Sequence, residues 1–460
     1  MKTDSRKIAD LTPLPGARLF RVITLAPGIS AGQGMALVCV AMISMAMQAF
    51  IPLMMPYILD DRLHIDMARQ GTIVGTLSLV QNLVFALTIL IFGALADRFG
   101  RRLFLLIALG SFAVSCIWFP FVYSIVPIVV ISAIFGAGQA AHQAGNGTSV
   151  LDYPDNRSRG KFLCLMMLTQ GLSGAIFVGK VAMHLPEWLE GHYFQPLQAI
   201  KISYATIAVL GAIGMVLAMA FLRTDLRSRP ENGTSLKAET RRLTRQIRAV
   251  AAQAVRVPRY RFVFLAGIVL RADFAMMATF LSLWTVSAGH RRGIDTTTAL
   301  ATAGNLFAVF SVTASISPIL FGYWVDRFDR AKLLLITLGL AGAAFLGPVV
   351  VTDVFGLGGV VAVAVIGFAE GAIIITANAL LGQETPAELR GTAYGVFSLL
   401  GLLGLVVINF VGGLLFDRVS NVAPFVIIGI LNLLILLIAR KEWRPDDTGG
   451  IRVLEIHHAK

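Results

Sequence analysis

Roughly twelve runs of mostly apolar residues, each near the 20 that a helix needs to cross a hydrocarbon core, follow one another along this 460-residue chain. They lie at about Met35–Leu59, Thr72–Leu95, Leu103–Phe121, Ile125–Leu151, Phe162–His184, Tyr204–Leu222, Phe262–Ala288, Ala299–Val325, Leu333–Val351, Leu357–Leu381, Ala393–Phe416 and Ala423–Ile438. A lipid-immersed backbone has no water to bond to, so such runs must satisfy their own peptide groups as helices. Composition agrees, with 56% apolar residues, 14% charged residues and a mean hydropathy of +0.76. The sequence therefore predicts an all-α membrane protein of 12 spanning helices.

The first run is too long for a signal-peptide core and follows about thirty polar and basic residues, so it is expected to stay in the mature protein. Gly16–Val22 admits two readings, a short surface helix or a solvated tail. The net charge of +13 would suit a nucleic-acid binder if it were clustered. With the N-terminus inside, however, about 31 of the 39 Lys and Arg fall on cytoplasmic segments, the asymmetry that orients membrane proteins. The expectation is a multi-pass protein of the inner or plasma membrane with both termini cytoplasmic, partnered by lipid and not by nucleic acid. Cys39, Cys116 and Cys164 lie within predicted helices without metal-type spacing and read as small apolar fillers; no metal or cofactor is implied.

The chain also repeats itself. Gly93-Ala-Leu-Ala-Asp97-Arg98-Phe99-Gly100-Arg101-Arg102 recurs about 230 residues later as Gly322-Tyr-Trp-Val-Asp326-Arg327-Phe328-Asp329-Arg330. Asp152-Tyr-Pro154 with Arg159-Gly160 likewise matches Glu384-Thr-Pro386 with Arg390-Gly391, and in the same register Asn146 matches Asn378. Two halves of six helices follow: an N-terminal segment 1–34, a bundle over 35–222, a basic linker over 223–261, a second bundle over 262–440 and a tail over 441–460. Within the linker, Ser235–Val255 lacks Gly and Pro and reads as an amphipathic helix on the inner membrane face.

On these motifs the chain resembles the major facilitator superfamily, and the resemblance covers about Met35 to Ile438. It implies two pseudo-symmetric six-helix bundles with a solute site between them near the midplane and alternating access by rocking. It further implies that Asp97, at the end of the second helix, faces the start of the eleventh, Gly391-Thr392-Ala393, and locks the cytoplasmic side when the outer side is open. Gly93, Arg98, Gly100, Arg101 and Arg102 complete that signature, and Asp326, Arg327 and Arg330 are their counterparts. A plain helix stop that obeys the charge rule is the alternative reading for these charges, although the acidity of Asp97 runs against that rule. Asp152 and Glu384 are candidate partners for nearby arginines.

A charge at membrane depth costs about 2.5–3.5 kcal/mol on insertion scales, which makes each one a functional candidate. Glu370 falls in the middle of the tenth run among small residues; Arg271 and Asp273 lie two apart in the seventh. Glu370 and Asp273 are candidates to carry a coupling proton, and Arg271 to receive a carboxylate or phosphate. Permanent pairing among the three is the competing reading. Gln139, His142, Gln143 and Asn146 share one face of the fourth helix, as either a cavity wall or a packing seam. Asn378 joins them as a binding candidate, with Gln48, Gln81, Asn82, Gln170 and Asn305 as weaker ones, and Lys180 can snorkel to the interface.

The sequence thus reads as a monomeric secondary transporter, proton-coupled, for a small anionic or zwitterionic organic solute. A proton-driven multidrug exporter is the rival. Exporters of the superfamily carry an Arg before the G-x-G of the fourth helix and a G-P-x-x-G-G in the fifth; here Ser132 precedes Gly136-Ala-Gly138, and Gly171–Gly179 has no proline. A sensor on a transporter scaffold is a third reading, for which the tail of about 20 residues leaves little room. No nucleotide, metal or nucleophile motif points to an enzyme.

Overall fold

The computed structural model describes residues 17–192, 194–223, 236–386 and 389–442; a few helical side chains, Asp97 and Asp273 among them, lie outside the description. The twelve long helices are α1 Ala31–Leu53, α2 Met67–Phe99, α3 Arg101–Trp118, α4 Ile125–Asp152, α5 Arg159–Ser173, α6 Pro196–Phe221, α7 Pro258–His290, α8 Thr296–Val325, α9 Arg330–Leu346, α10 Leu357–Glu384, α11 Arg390–Arg418 and α12 Ala423–Glu442. A separate linker helix, Leu236–Arg256, joins the halves. Among the described residues, eleven spans are long and apolar enough to cross a membrane, and α7 qualifies as two segments bent by 42°. The regular structure of these residues is helical but for one tiny hairpin.

Several helix ends are written in the sequence. Ser30 caps α1 in a reciprocal box with Gln33. Asp295 caps α8 and Asp329 caps α9. Pro52 removes a donor near the end of α1, and the chain continues through Met55–Tyr57 into a π-turn at Ile58–Arg62. A second π-segment, Gly174–Ala182, prolongs α5.

The two halves pack by one rule. In the first, α2 and α3 pack on α4, α3 on α6, and α1 on α5 and α6. In the second, α8 and α9 pack on α10, α9 on α12, and α7 on α11 and α12, which is the same map shifted by six helices. Between halves, α2 meets α11, the extended α5 meets α8, and α1 meets α7. Those reciprocal seams surround the molecular axis.

The N-terminal segment departs from both readings of the sequence. Arg18–Leu19 pairs antiparallel with Ile23–Thr24, Leu25 bridges to Pro154, and Leu19, Ile23 and Leu25 are buried. Leu19 and Leu25 pack beside Gly34 of α1, and hydrogen bonds of Thr24 and Ala26 to Tyr153, Asp155 and Ser158 hold the turn against the α4–α5 loop. Of the cysteines, Cys116 is buried but Cys164 is exposed, so filling a core does not describe it.

Candidate functional site

We call the face bearing the α2–α3 turn and the linker helix the terminal face, and its opposite the distal face. Toward the distal face both seams close until only glycine fits: a Cβ on Gly71 would lie 2.8 Å from the Gly413 carbonyl, and one on Gly179 would lie 2.6 Å from that of Gly304. Further along the same helices, a Cβ on Gly93, Gly160, Gly322, Gly391 or Gly395 would meet no atom within 4 Å. Both seams therefore splay toward the terminal face, and a central cavity of about 500 Å³ lies between the halves.

Of the residues singled out from sequence, Arg271, Glu370, Gln139, His142 and Gln143 line this cavity, as do Gln48, Gln81 and Asn82. Asn146 and Asn378 are not among its lining residues; the Asn378 amide donates to the Ile374 carbonyl of its own helix, and its backbone carbonyl accepts from the Tyr394 hydroxyl. Asp273 lies in α7, but its side chain is outside the described residues.

Arg271 is half-buried, with its guanidinium 5.4 Å from the Phe85 ring centroid. Among the described residues no carboxylate pairs with it. A planar cation over an aromatic face stays weakly hydrated and keeps its edge donors for a ligand. Glu370 is 0% exposed and sits where α10 crosses α8 most tightly. On either side of it, a Cβ on Gly367 would lie 2.4 Å from the Phe310 carbonyl and one on Gly371 2.2 Å from that of Ala314.

The polar stripe of α4 is part cavity wall and part seam. Gln139 accepts from Gln81 at 2.9 Å across the α2–α4 contact. Gln48 Nε2 donates to the Ser44 carbonyl and meets His142 Nδ1 at 3.4 Å. An amide can only donate there, so the ring proton belongs on Nε2, which finds no partner among the described residues. Asn409, overlooked in the sequence, also lines the cavity with an unmatched Oδ1. Its signal was present, since α11 contains no other amide. Phe85, Phe135 and Phe397 add apolar wall.

The signature residues sit at the terminal face. Gly100 adopts φ +94°, a conformation that favours glycine, and joins α2 to α3 in a single residue. Arg101 ion-pairs with Asp152, and Arg102 donates to the carbonyls of Met219 and Leu222, tying α3 to α4 and α6. Arg98 lies over Phe99 at 5.5 Å. In the second half Asp329 replaces Gly100 and caps α9, Arg330 reaches the carbonyls of Val325 and Ala379 and lies 3.9 Å from Asp326, and Arg327 stacks on Tyr323 at 3.4 Å. The Asp97 side chain lies outside the described residues. Lys180 is exposed and donates to Asn305 Oδ1 of α8 at 2.6 Å.

Comparison with known proteins agrees with this architecture. The sequence matches the family model of the Major Facilitator Superfamily over residues 36–301 and 263–451. It is 23% identical over 442 residues to the magnetosome protein MamH of Paramagnetospirillum magneticum, covering 94% of this chain and 97% of that protein. It is 22% identical to the magnetosome protein MamZ of the same organism, covering 88% of this chain but 61% of MamZ. Among solved structures, a D-xylose-proton symporter superposes with a TM-score of 0.66 at 14% identity, covering 89% of this chain and 97% of that one. The nucleoside transporter NupG superposes with a TM-score of 0.65 at 12% identity, covering 90% of this chain and all of NupG. Two halves with one packing map, a cavity between them and a family match along nearly the whole sequence lead to one conclusion: this chain belongs to the major facilitator superfamily of secondary transporters.

Proposed function

We propose that this transporter moves a small anionic or zwitterionic organic solute, coupled to protons, with Arg271 as the solute's anchor and Glu370 as the proton carrier. The observation that carries the reading is Arg271: a guanidinium on the wall of the central cavity with no ion pair among the described residues. His142 Nε2–H and Gln143 add neutral donors, and the Asn409 Oδ1 supplies an acceptor suited to a solute ammonium or hydroxyl. Glu370 stands on the same wall, fully buried, where a carboxyl can exchange a proton as the cavity changes sides. Relatives of this fold carry sugars and nucleosides, so the solute class is argued from these side chains and not from the fold. The charge asymmetry supports a cytoplasmic terminal face in an inner or plasma membrane.

The test is uptake into proteoliposomes under an imposed pH gradient, screening organic acids, amino acids and cationic dyes. Accumulation of an anion should fall at least tenfold in Arg271→Ala, in line with about 1.5–3 kcal/mol for a hydrogen bond to a charged group. Arg271→Lys should be intermediate, because a point charge replaces a fork. Accumulation of cationic dyes that survives Arg271→Ala would move the assignment to a multidrug exporter.

A further inference from the structure

The distal face is held by two reciprocal docks. Asp417, at the end of α11, accepts from the backbone N–H groups of Gly71 at 2.9 Å and Thr72 at 2.6 Å, in the second turn of α2. In the opposite sense, the short helix Leu185–Glu190 that follows α5 brings two carboxylates to the first turn of α8: Glu187 accepts from the Thr298 hydroxyl at 3.1 Å, and Glu190 lies 3.1 Å from the Thr297 hydroxyl, whose one proton it shares with Asp295 at 2.7 Å. The fifth helix of each half thus ends in carboxylates seated on the start of the second helix of the other half. A central contact joins the ends of α1 and α7, where Asp60 meets His290 at 2.9 Å and accepts from Thr296 at 2.8 Å.

We infer that Asp417 on one side, and Glu187 and Glu190 on the other, form a paired distal latch that holds the terminal-open state, and that the latch must release in every transport cycle. This goes beyond the proposed solute and coupling ion and rests only on the alternating access of the family. Carboxylates suit the task because a charged acceptor strengthens its bonds to N–H and O–H donors, while water replaces the same bonds once the seam parts. The close glycine contacts act in the same direction: with Gly71 and Gly413 in contact, Asp417 reaches backbone that any side chain on Gly71 would cover. If the halves rock as rigid bodies, loosening either dock weakens both.

The experiment places nitroxide labels at Arg69→Cys and Ser420→Cys, exposed positions on opposite sides of the α2–α11 dock, with Cys39, Cys116 and Cys164 replaced by Ser. Distances are read in lipid nanodiscs without solute, so the result does not depend on the solute assignment. Asp417→Ala should raise the ratio of long to short distances about tenfold, equivalent to about 1.4 kcal/mol. Asp417→Asn, which keeps one acceptor oxygen, should lie between, and it serves as the readable variant if the alanine protein is not monodisperse. The paired change Thr297→Val and Thr298→Val, at the other dock, should shift the same label pair in the same direction. A wild-type distribution in the Asp417 variants would overturn the latch, and a shift confined to them would overturn its reciprocity.

Discussion

At Gly371 a single hydrogen in place of a side chain decides how α8 and α10 cross. A methyl there would overlap the Ala314 carbonyl and the Ser317 hydroxyl. Overpacking of this kind costs about 1–3 kcal/mol. Gly371→Val should therefore lower the melting temperature in detergent and displace Glu370, whereas the same change at exposed, uncrowded Gly391 should leave melting close to wild type. Residues of this scale were partly legible. Arg271, Glu370 and His142 announced themselves as polar groups in apolar runs. Asn409 carried the same signal in a helix from which no candidate was drawn. The partnership of Gln139 with Gln81 was not legible, because it depends on how far α2 and α4 rotate about their axes, which packing sets.

The elements themselves were legible, with ends that differ by up to eight residues when the π-segment is counted with α5, since an apolar run long enough to span a membrane permits little else. Their ends ran beyond the runs: α2 begins at Met67 behind the Asp66 cap, and α6 at Pro196 behind Gln195. The linker helix falls where its sequence placed it, and its contacts add a connection. Gln246 accepts from Thr392 at 3.0 Å, and Gln253 donates to the Glu384 carbonyl at 3.0 Å, tying the linker to both sides of the α10–α11 loop. Gln246→Ala with Gln253→Ala should speed proteolysis within the linker without lowering membrane insertion, a comparison readable by limited trypsin digestion of the protein in lipid nanodiscs, where both faces are accessible. On the distal face, the N–H of Phe355 and then Arg292 hold the Asp353 carboxyl below the usual carboxylate range. A depressed value means that the stabilisation is present above the unfolded pKa, about 3.9, and fades as the pH falls through the lower folded value. Asp353→Asn should thus lower the melting temperature near pH 7 and change it little at the acidic end of that window.

For the whole molecule, the repeated signature foretold two similar halves, and five helix contacts recur in both halves in the same register, while α7 packs on α8 and α10 more closely than α1 packs on α2 and α4. The likeness is not complete: Gly100 turns between α2 and α3 where Asp329 caps α9, and Arg101 pairs with Asp152 where Arg330 bonds to backbone. Which side of the molecule opens was not legible at all. Both states of an alternating carrier are encoded by one sequence and differ by only a few kcal/mol, so pattern cannot choose between them. Here the distal seams are shut and the cavity splays toward the terminal face, with Arg271 and Glu370 on its wall. The central claim is that these two residues divide the work, one holding the solute and the other the proton. The most direct measurement compares solute counterflow with gradient-driven accumulation in Glu370→Gln proteoliposomes, using a solute found in the uptake screen. The account predicts that counterflow, which needs no net proton movement, persists while accumulation against a gradient disappears. Accumulation retained at the wild-type level would contradict it.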